Sequence, residues 1–152
     1  MSPPLIVLVV RRSGTTLLRV MLDRSSELAV PDESYFGPQL AHRHPGTVDV
    51  ASFVDDLRRI RRLRDLGIAA DDVATRLRAG MTTGEAIGAV FETYAALQGK
   101  ARWGDKTPLY MQYLPLLERL FPEALYVHLI RDGRVAAVSH LAVHRGIMTE
   151  GW

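Results

Sequence analysis

Cysteine is absent from this chain of 152 residues, and lysine occurs only at Lys100 and Lys106. Without cysteine the protein has no disulfide, no zinc thiolate site and no thiol nucleophile. Almost all of the positive charge is carried by arginine, which stays ionised and donates a planar fork of hydrogen bonds to oxyanions. The formal net charge of +2 is too small to indicate a dedicated nucleic-acid-binding protein.

Long hydrophobic runs are also absent from the sequence. The N-terminal run, residues 5–10, has six residues, lacks a basic leader and is followed by Arg11 and Arg12. A membrane-spanning helix needs about 20 apolar residues, and a secretory signal has a basic start before its apolar segment. We therefore expect no membrane span and a cytoplasmic location.

The length and composition predict one folded domain over residues 1–152, because 47% apolar and 24% charged residues are ordinary values for a globular protein. Apolar strands are predicted at 5–10 and 124–130, with a shorter extended segment at 100–103. Strands that alternate with helices indicate an α/β protein. The expected architecture is a P-loop-type three-layer fold, with a central parallel sheet flanked by helices.

A helical block at residues 36–98 interrupts this alternation. We expect Asp32 or Ser34 to cap a helix near its start, and we expect a loop at 37–46, an amphipathic helix at 50–66, a short helix at 71–77 and a helix from the Thr82 capping box to about residue 97. Ligands of open parallel sheets lie outside the carboxyl ends of the strands. A helical insertion over that edge of the sheet would therefore cover the site and select what enters it.

Further helices are predicted at 110–121 and 135–143. His128 lies in the second apolar strand, and we expect it to be a hydrogen-bonded interior residue. The histidine pairs at 42 and 44 and at 140 and 144 have no carboxylate or cysteine beside them in sequence, so no metal site is expected.

The first strand leads directly into a polar turn, residues 12–16, and then into a helix. This order predicts a phosphate cradle, because the N–H groups of the turn and the positive end of the helix dipole converge on one point. A nucleoside triphosphatase loop has a lysine directly after its second glycine. Thr15 holds that position here, the cation is displaced to Arg12, and no strand ends in a spare aspartate for magnesium. We interpret the turn as an anion site that works without a metal.

A second polar motif follows the strand at 124–130. Arg131 comes at the end of that strand, and Ser139 lies eight residues later, about two helical turns further on and able to face the same pocket. From its residues alone, this pair is equally compatible with a salt bridge between Arg131 and Asp132 or a neighbouring helix.

Together the two motifs resemble the sulfotransferases that use 3′-phosphoadenosine 5′-phosphosulfate (PAPS), in their bacterial and tyrosylprotein-type branch. Residues 12–18 resemble the 5′-phosphosulfate loop, and Arg131 and Ser139 are similar to the 3′-phosphate site. The resemblance implies that PAPS is bound by Arg12, Ser13, Gly14, Thr15, Thr16, Arg131 and Ser139. It covers residues 5–36 and 102–145, and family members usually continue well beyond this point, so a C-terminally truncated domain is expected.

The resemblance also implies catalytic roles for Glu33, Arg12 and Lys106. Tyrosylprotein-type enzymes use a glutamate 21 positions after the loop arginine as the base, and this position is Glu33; the histidine of the cytosolic branch is replaced by Pro108. Lys106 resembles the family's second cation, which faces the sulfuryl group and the bridging oxygen. The alternatives are a capping or solvated carboxylate for Glu33 and an exposed lysine paired with Asp105.

The implied reaction is in-line transfer of a sulfuryl group from PAPS to an acceptor hydroxyl, in which positioning and charge neutralisation dominate. The acceptor is a small molecule, a sugar or a peptide; no metal and no nucleic acid are expected, and a homodimer remains open. One alternative is a truncated module that binds 3′-phosphoadenosine nucleotides without turnover. A P-loop kinase or triphosphatase is a second alternative, disfavoured by Thr15.

Overall fold

The computed structural model describes residues 3–144. Its centre is a sheet of four parallel strands in the order β2-β3-β1-β4, formed by β1 (Leu5–Val9), β2 (Leu28–Ala29), β3 (Arg102–Asp105) and β4 (Leu125–Leu129). Helices flank this sheet, so the predicted α/β architecture with a central parallel sheet is confirmed. The sheet order makes β1 the neighbour of both β3 and β4.

All five residues of β1 are buried, which explains why the strand is a continuous apolar run rather than an alternating one. Ile6 and Leu8 belong to the larger hydrophobic core on one side of the sheet, whereas Leu5, Val7 and Val9 belong to a smaller core on the other side. Strand β1 thus separates two apolar layers. The loop that follows it leaves the sheet at a rigid, fully buried position.

The helices are α1 (Thr15–Asp23), α2 (Phe36–Arg43), α3 (Val50–Arg59), α4 (Arg61–Asp65), α5 (Ala70–Ala74), α6 (Thr83–Leu97), α7 (Leu114–Leu120) and α8 (Gly133–His144), with a 3-10 helix at Pro108–Tyr113. Along the chain, helices α2 to α6 follow β2 and precede β3. An aromatic row attaches them to the sheet: Phe91 of α6 lies 4.5 Å from Trp103 of β3 and 5.2 Å from Phe36 of α2, between ring centroids. Within residues 3–144, none of the helices is both long and apolar enough to cross a membrane.

The segment predicted as a loop at 37–46 is largely helical, because α2 covers residues Phe36–Arg43. Pro38 falls in the first turn, where its missing N–H has no intrahelical partner to lose. Phe36 and Leu40 are buried, so packing stabilises a helix that the glycine and proline content concealed. The expected caps are also wrong, since α2 begins after Tyr35 without a side-chain cap.

The single amphipathic helix predicted at 50–66 is broken at Ile60, whose extended backbone (ψ 104°) separates α3 from α4. The break buries Leu63 and turns Arg62 towards the loop after β2, where its Nε donates to the Glu33 carbonyl oxygen at 2.6 Å. The first part of the helix predicted at 110–121 is a 3-10 helix, Pro108–Tyr113, and the α-helix α7 covers only Leu114–Leu120. Both differences arise from tertiary contacts, which the spacing of apolar residues along the sequence does not predict.

Strand β4 forms as predicted, but it is less buried than its sequence indicates. It is the last strand in the sheet order, and within residues 3–144 Leu125 and Val127 keep 50% and 38% of their surface exposed. His128 is exposed as well, so the prediction of an interior histidine is wrong. The apolar composition of a strand does not reveal whether it lies in the middle or at the edge of a sheet.

Candidate active site

The loop between β1 and α1 is shaped by two residues in the left-handed region, Arg12 (φ 66°) and Gly14 (φ 84°). Glycine adopts this conformation readily, whereas a non-glycine residue there is strained, and such residues cluster at functional sites. Helix α1 begins at Thr15, and Leu18 N donates to the Gly14 carbonyl oxygen at 3.2 Å. The N–H groups that precede Leu18 in the first turn have no intrahelical acceptor and are available to an anion.

The two polar motifs of the sequence meet in the structure. Arg12 Nε donates to Ser139 Oγ at 3.0 Å, and Arg131 Nη1 donates to the Arg12 carbonyl oxygen at 2.9 Å. The contact follows from the sheet order, because β1 and β4 are parallel neighbours and their carboxyl ends lie side by side. Residues more than 100 positions apart in the sequence therefore share one edge of the sheet.

A cavity of about 520 Å³ lies at this edge, lined by Arg12, Gly14, Thr15, Thr16, Leu17, Val20, Arg131 and Ser139. Among the described residues, its polar lining consists of two guanidinium groups and three hydroxyls, without a carboxylate. Guanidinium groups bind phosphates through two parallel hydrogen bonds, and the volume is within the usual range for a small-molecule site. The donor set therefore suits a ligand with two anionic groups; the predicted ligand Ser13 is buried and does not line this cavity.

Glu33 and Lys106 form a second cluster. Lys106 Nζ lies 2.8 Å from Glu33 Oε1, and the exposed fractions of the two side chains are 1% and 24%. The other carboxylate oxygen of Glu33 accepts a hydrogen bond from the Tyr35 hydroxyl. Lys106 is therefore neither exposed nor paired with Asp105. The pair does not line the cavity at residues 12–16, and its catalytic role remains a prediction.

Sequence reasoning missed a buried network beside this pair, which comprises Ser34, Asp105, Thr107 and Tyr110. Ser34 Oγ donates to Asp105 Oδ2 at 2.8 Å, and the Ser34 N–H donates to Thr107 Oγ1 at 2.9 Å. Burial raises the pKa of Asp105 to about 6, although hydrogen bonds from Ser34 and Thr107 and the charge of Lys106 act in the opposite direction. The sequence predicted an extended segment at 100–103 and no strand ending in a spare aspartate, whereas β3 ends at Asp105, whose carboxylate accepts from Ser34 and Thr107.

The insertion forms a cavity of its own beside this cluster. Its volume is about 330 Å³, and it is lined by Ser34, Tyr35, Phe36, Gln39, Leu40, Arg43, Arg59, Ile60, Arg61 and Arg62. Three of its four arginines, Arg59, Arg61 and Arg62, come from the amphipathic helix predicted at 50–66, and Arg43 ends α2. Arg62, only 28% exposed, lies 3.3 Å from Asp32 and anchors the Glu33 loop. In the described part of the chain, no group of three or more His, Asp or Glu side chains is arranged to hold a metal.

The fold and this site define an α/β protein that presents an arginine-lined cavity at the carboxyl edge of a parallel sheet. A model described as the sulfotransferase family matches residues 3–151, and the chain belongs to that family.

Two curated relatives agree with the family assignment. The nodulation protein NoeE of Sinorhizobium fredii (strain NBRC 101917 / NGR234) is 31% identical over 142 residues, which are 88% of this chain and 30% of the relative. The protein-tyrosine sulfotransferase A of Caenorhabditis elegans is 30% identical over 145 residues, which are 91% of this chain and 33% of the relative. The chain thus spans about a third of the length of the curated relatives it matches.

Proposed function

We propose that this chain binds PAPS in the cavity at residues 12–16 and that the protein transfers the sulfuryl group of PAPS to an acceptor hydroxyl. The observation that carries the proposal is the direct contact of Arg12 with both Ser139 and Arg131. PAPS bears phosphate groups on both sides of its ribose, so it requires two anion sites within one ligand's length. Two guanidinium groups around one cavity meet that requirement.

Arg12, Thr15, Thr16 and the open N–H groups of α1 are assigned to the 5′-phosphosulfate, because they belong to the loop after β1 and the first turn of α1 and line the cavity. Arg131 and Ser139 are assigned to the 3′-phosphate. The bound donor supplies a sulfuryl group attached to a phosphate leaving group. Preorganised donors of this kind stabilise the negative charge that develops on the leaving oxygen, and loss of one donor typically slows a reaction about a hundredfold or more.

Glu33 is the candidate base that accepts the proton of the acceptor hydroxyl. Lys106 holds Oε1 of its carboxylate by an ion pair, so we assign the acceptor hydroxyl to Oε2, where it would displace the hydrogen bond from the Tyr35 hydroxyl. The cavity of the insertion adjoins this position and is lined in part by Tyr35. We therefore assign acceptor selection to the insertion, residues 36–98. Lys106 keeps the carboxylate compensated until the acceptor and donor are bound.

A second candidate function is a module that binds 3′-phosphoadenosine nucleotides without turnover. The observation that favours it is the separation of the Glu33–Lys106 pair from the lining of the 520 Å³ cavity, together with the near-complete burial of Lys106. Nucleotide binding is common to both candidates, and only turnover distinguishes them.

Calorimetry tests the donor site. We expect the chain to bind adenosine 3′,5′-bisphosphate and not ATP with magnesium. Arg12→Ala should weaken bisphosphate binding by about tenfold or more, because a hydrogen bond to a charged group contributes roughly 1.5–3 kcal/mol. Arg119→Ala, which removes an exposed arginine of α7, is the matched control and should leave binding unchanged. Binding of ATP without binding of the bisphosphate would contradict the proposal.

Radiolabelled PAPS tests turnover. The chain is incubated with pooled phenols, sugars and peptides, and label transfer is compared between the native protein and Glu33→Gln. Loss of transfer in the variant, with bisphosphate binding retained, supports Glu33 as the base. Equal, nonzero rates would remove Glu33 from the mechanism, and tight nucleotide binding without any transfer would favour the binding module.

A further inference from the structure

The segments that carry Glu33 and Lys106 are joined by a network of buried polar side chains. Its four members expose at most 2% of their surface: Ser34, Asp105, Thr107 and Tyr110. Ser34 directly follows Glu33 and Asp105 directly precedes Lys106 in the sequence. Each residue of the ion pair is thus adjacent to a residue of the network.

The hydrogen bonds of the network have one consistent direction, towards the carboxylate of Asp105. The Gly37 N–H donates to the Tyr110 hydroxyl oxygen at 3.0 Å, and the hydroxyls of Tyr110 and Ser34 are 2.8 Å apart. Since the Ser34 hydroxyl donates to Asp105 Oδ2, it accepts from Tyr110. Thr107 donates to the second oxygen, Oδ1, at 3.1 Å. The hydroxyls of Ser34 and Thr107 are also 3.4 Å apart, so each member has a partner inside the network, and loss of one member leaves a buried partner with fewer hydrogen bonds.

This arrangement is more than is needed to fill a core. Apolar side chains of similar size would pack the same space without desolvating a carboxylate. The described residues include ten that are buried and polar or charged, and four of these are Ser34, Asp105, Lys106 and Thr107. These buried polar residues are concentrated next to the Glu33–Lys106 pair. This indicates that the network fixes the relative positions of the two side chains of the pair.

We propose that Tyr110 and Asp105, acting through Ser34, are positioning residues that hold the Glu33 carboxylate against the Lys106 ammonium. The catalytic role of the pair rests on the proposed function, whereas the positioning of the pair by the network can be tested without it. Within residues 3–144, Tyr110 forms no hydrogen bond with either member of the pair; it holds Ser34 and the start of α2 at Gly37. Its effect on the pair is therefore transmitted through the backbone of the Glu33 loop.

The first test is thermodynamic and needs no turnover. The coupling free energy of the pair is measured by urea unfolding of Glu33→Gln, Lys106→Met and the double variant. The cycle is repeated in a Tyr110→Phe background and in a Thr93→Val background. Thr93 is a matched control because, in the described part of the chain, its buried hydroxyl donates only to the Ala89 carbonyl oxygen within α6. We expect the coupling to fall by at least half with Tyr110→Phe and to be unchanged with Thr93→Val.

Equal coupling in the native and Tyr110→Phe backgrounds would overturn the proposal. Asp105→Asn is the second variant, since it keeps the size of the side chain and one acceptor oxygen. It should lower the coupling as well, and it decides the question if Tyr110→Phe does not fold. Equal loss of coupling in the Thr93→Val background would show a general effect of destabilisation and would likewise overturn the proposal.

The second test separates positioning from binding. Tyr110→Phe should lower kcat for sulfuryl transfer by about tenfold or more, because small displacements of catalytic groups have large effects on rate. The Kd for adenosine 3′,5′-bisphosphate should be unchanged, since Tyr110 does not line the nucleotide cavity. An unchanged kcat would overturn the inference. A native chain that binds no bisphosphate would contradict the proposed function. The unfolding cycle would still test whether the network positions the Glu33–Lys106 pair, because it needs neither nucleotide nor turnover.

Discussion

Asp105 illustrates, at the scale of a single residue, how burial changes the chemistry of a carboxyl group. Its side chain lies at the end of β3 and is 1% exposed. Burial raises its pKa to about 6, against the opposing effect of hydrogen bonds from Ser34 and Thr107 and the nearby Lys106 charge. The same hydrogen bonds that hold Ser34 in place therefore only partly compensate the desolvation of the carboxylate.

The raised pKa of Asp105 predicts a pH-dependent contribution to stability. Between the unfolded value of 3.8 and the folded value of about 6, the folded state binds more protons, so the free energy of unfolding decreases as the pH rises through this window. Asp105→Asn does not titrate. The stability of the native chain relative to Asp105→Asn should therefore fall between about pH 4 and about pH 7, as measured by urea unfolding. A difference that is independent of pH would contradict this prediction.

At the scale of elements, helix α6 shows a start that is encoded locally and a packing that is not. Thr82 accepts a hydrogen bond from the Glu85 N–H, and Glu85 Oε2 accepts one from the Thr82 N–H at 2.7 Å, which is the capping box expected from the sequence. The end at Leu97 is followed by Gly99 in the left-handed region (φ 67°). By contrast, the close approach of α6 to α7 depends on Gly84, and no local pattern predicts it.

Two glycines of α6 form a matched pair for testing this helix contact. A Cβ built at Gly84 overlaps the backbone carbonyl oxygen of Leu120, whereas a Cβ at Gly88 only reaches a ring carbon of Trp103 at 4.0 Å. Gly84→Ala should lower the free energy of unfolding by about 1–3 kcal/mol, the usual effect of overpacking. Gly88→Ala should raise it by roughly 0.5–1 kcal/mol, because alanine favours a helix. Thermal or urea unfolding measures both, and equal effects would refute the contact.

At the scale of the whole molecule, the sheet order decides which residues line the cavity at residues 12–16. Placing β1 beside β4 brings residues 12–16 next to Arg131 and Ser139. Placing β3 on the other side of β1 brings Lys106 near the end of the same sheet, where it meets Glu33 from the loop after β2. Two clusters thus arise from one parallel topology.

This topology predicts that the two ends of the nucleotide are recognised separately. Arg131→Ala should weaken binding of adenosine 3′,5′-bisphosphate by about tenfold or more. Binding of adenosine 5′-phosphosulfate, which lacks the 3′-phosphate, should be unchanged by the same substitution. Titration calorimetry with both ligands provides the measurement. Equal weakening of both would place Arg131 elsewhere than at the 3′-phosphate.

The sequence by itself determined the features that are encoded in neighbouring residues. The buried strand at 5–9, the turn with Gly14 and the capping box at Thr82 were predictable, because each depends on side chains a few positions apart. The family resemblance could be recognised from the sequence for the same reason, since residues 12–18 form one continuous motif.

Only the tertiary structure decided which of these local features meet. The helix that contains Pro38, the break at Ile60, the exposure of His128 and the pairing of Lys106 with Glu33 all depend on contacts between distant segments. Burial, which raises the pKa of Asp105, is likewise a property of the assembled molecule. The physical reason is that hydrophobic burial and close packing act between elements, and they override local preferences wherever the two conflict.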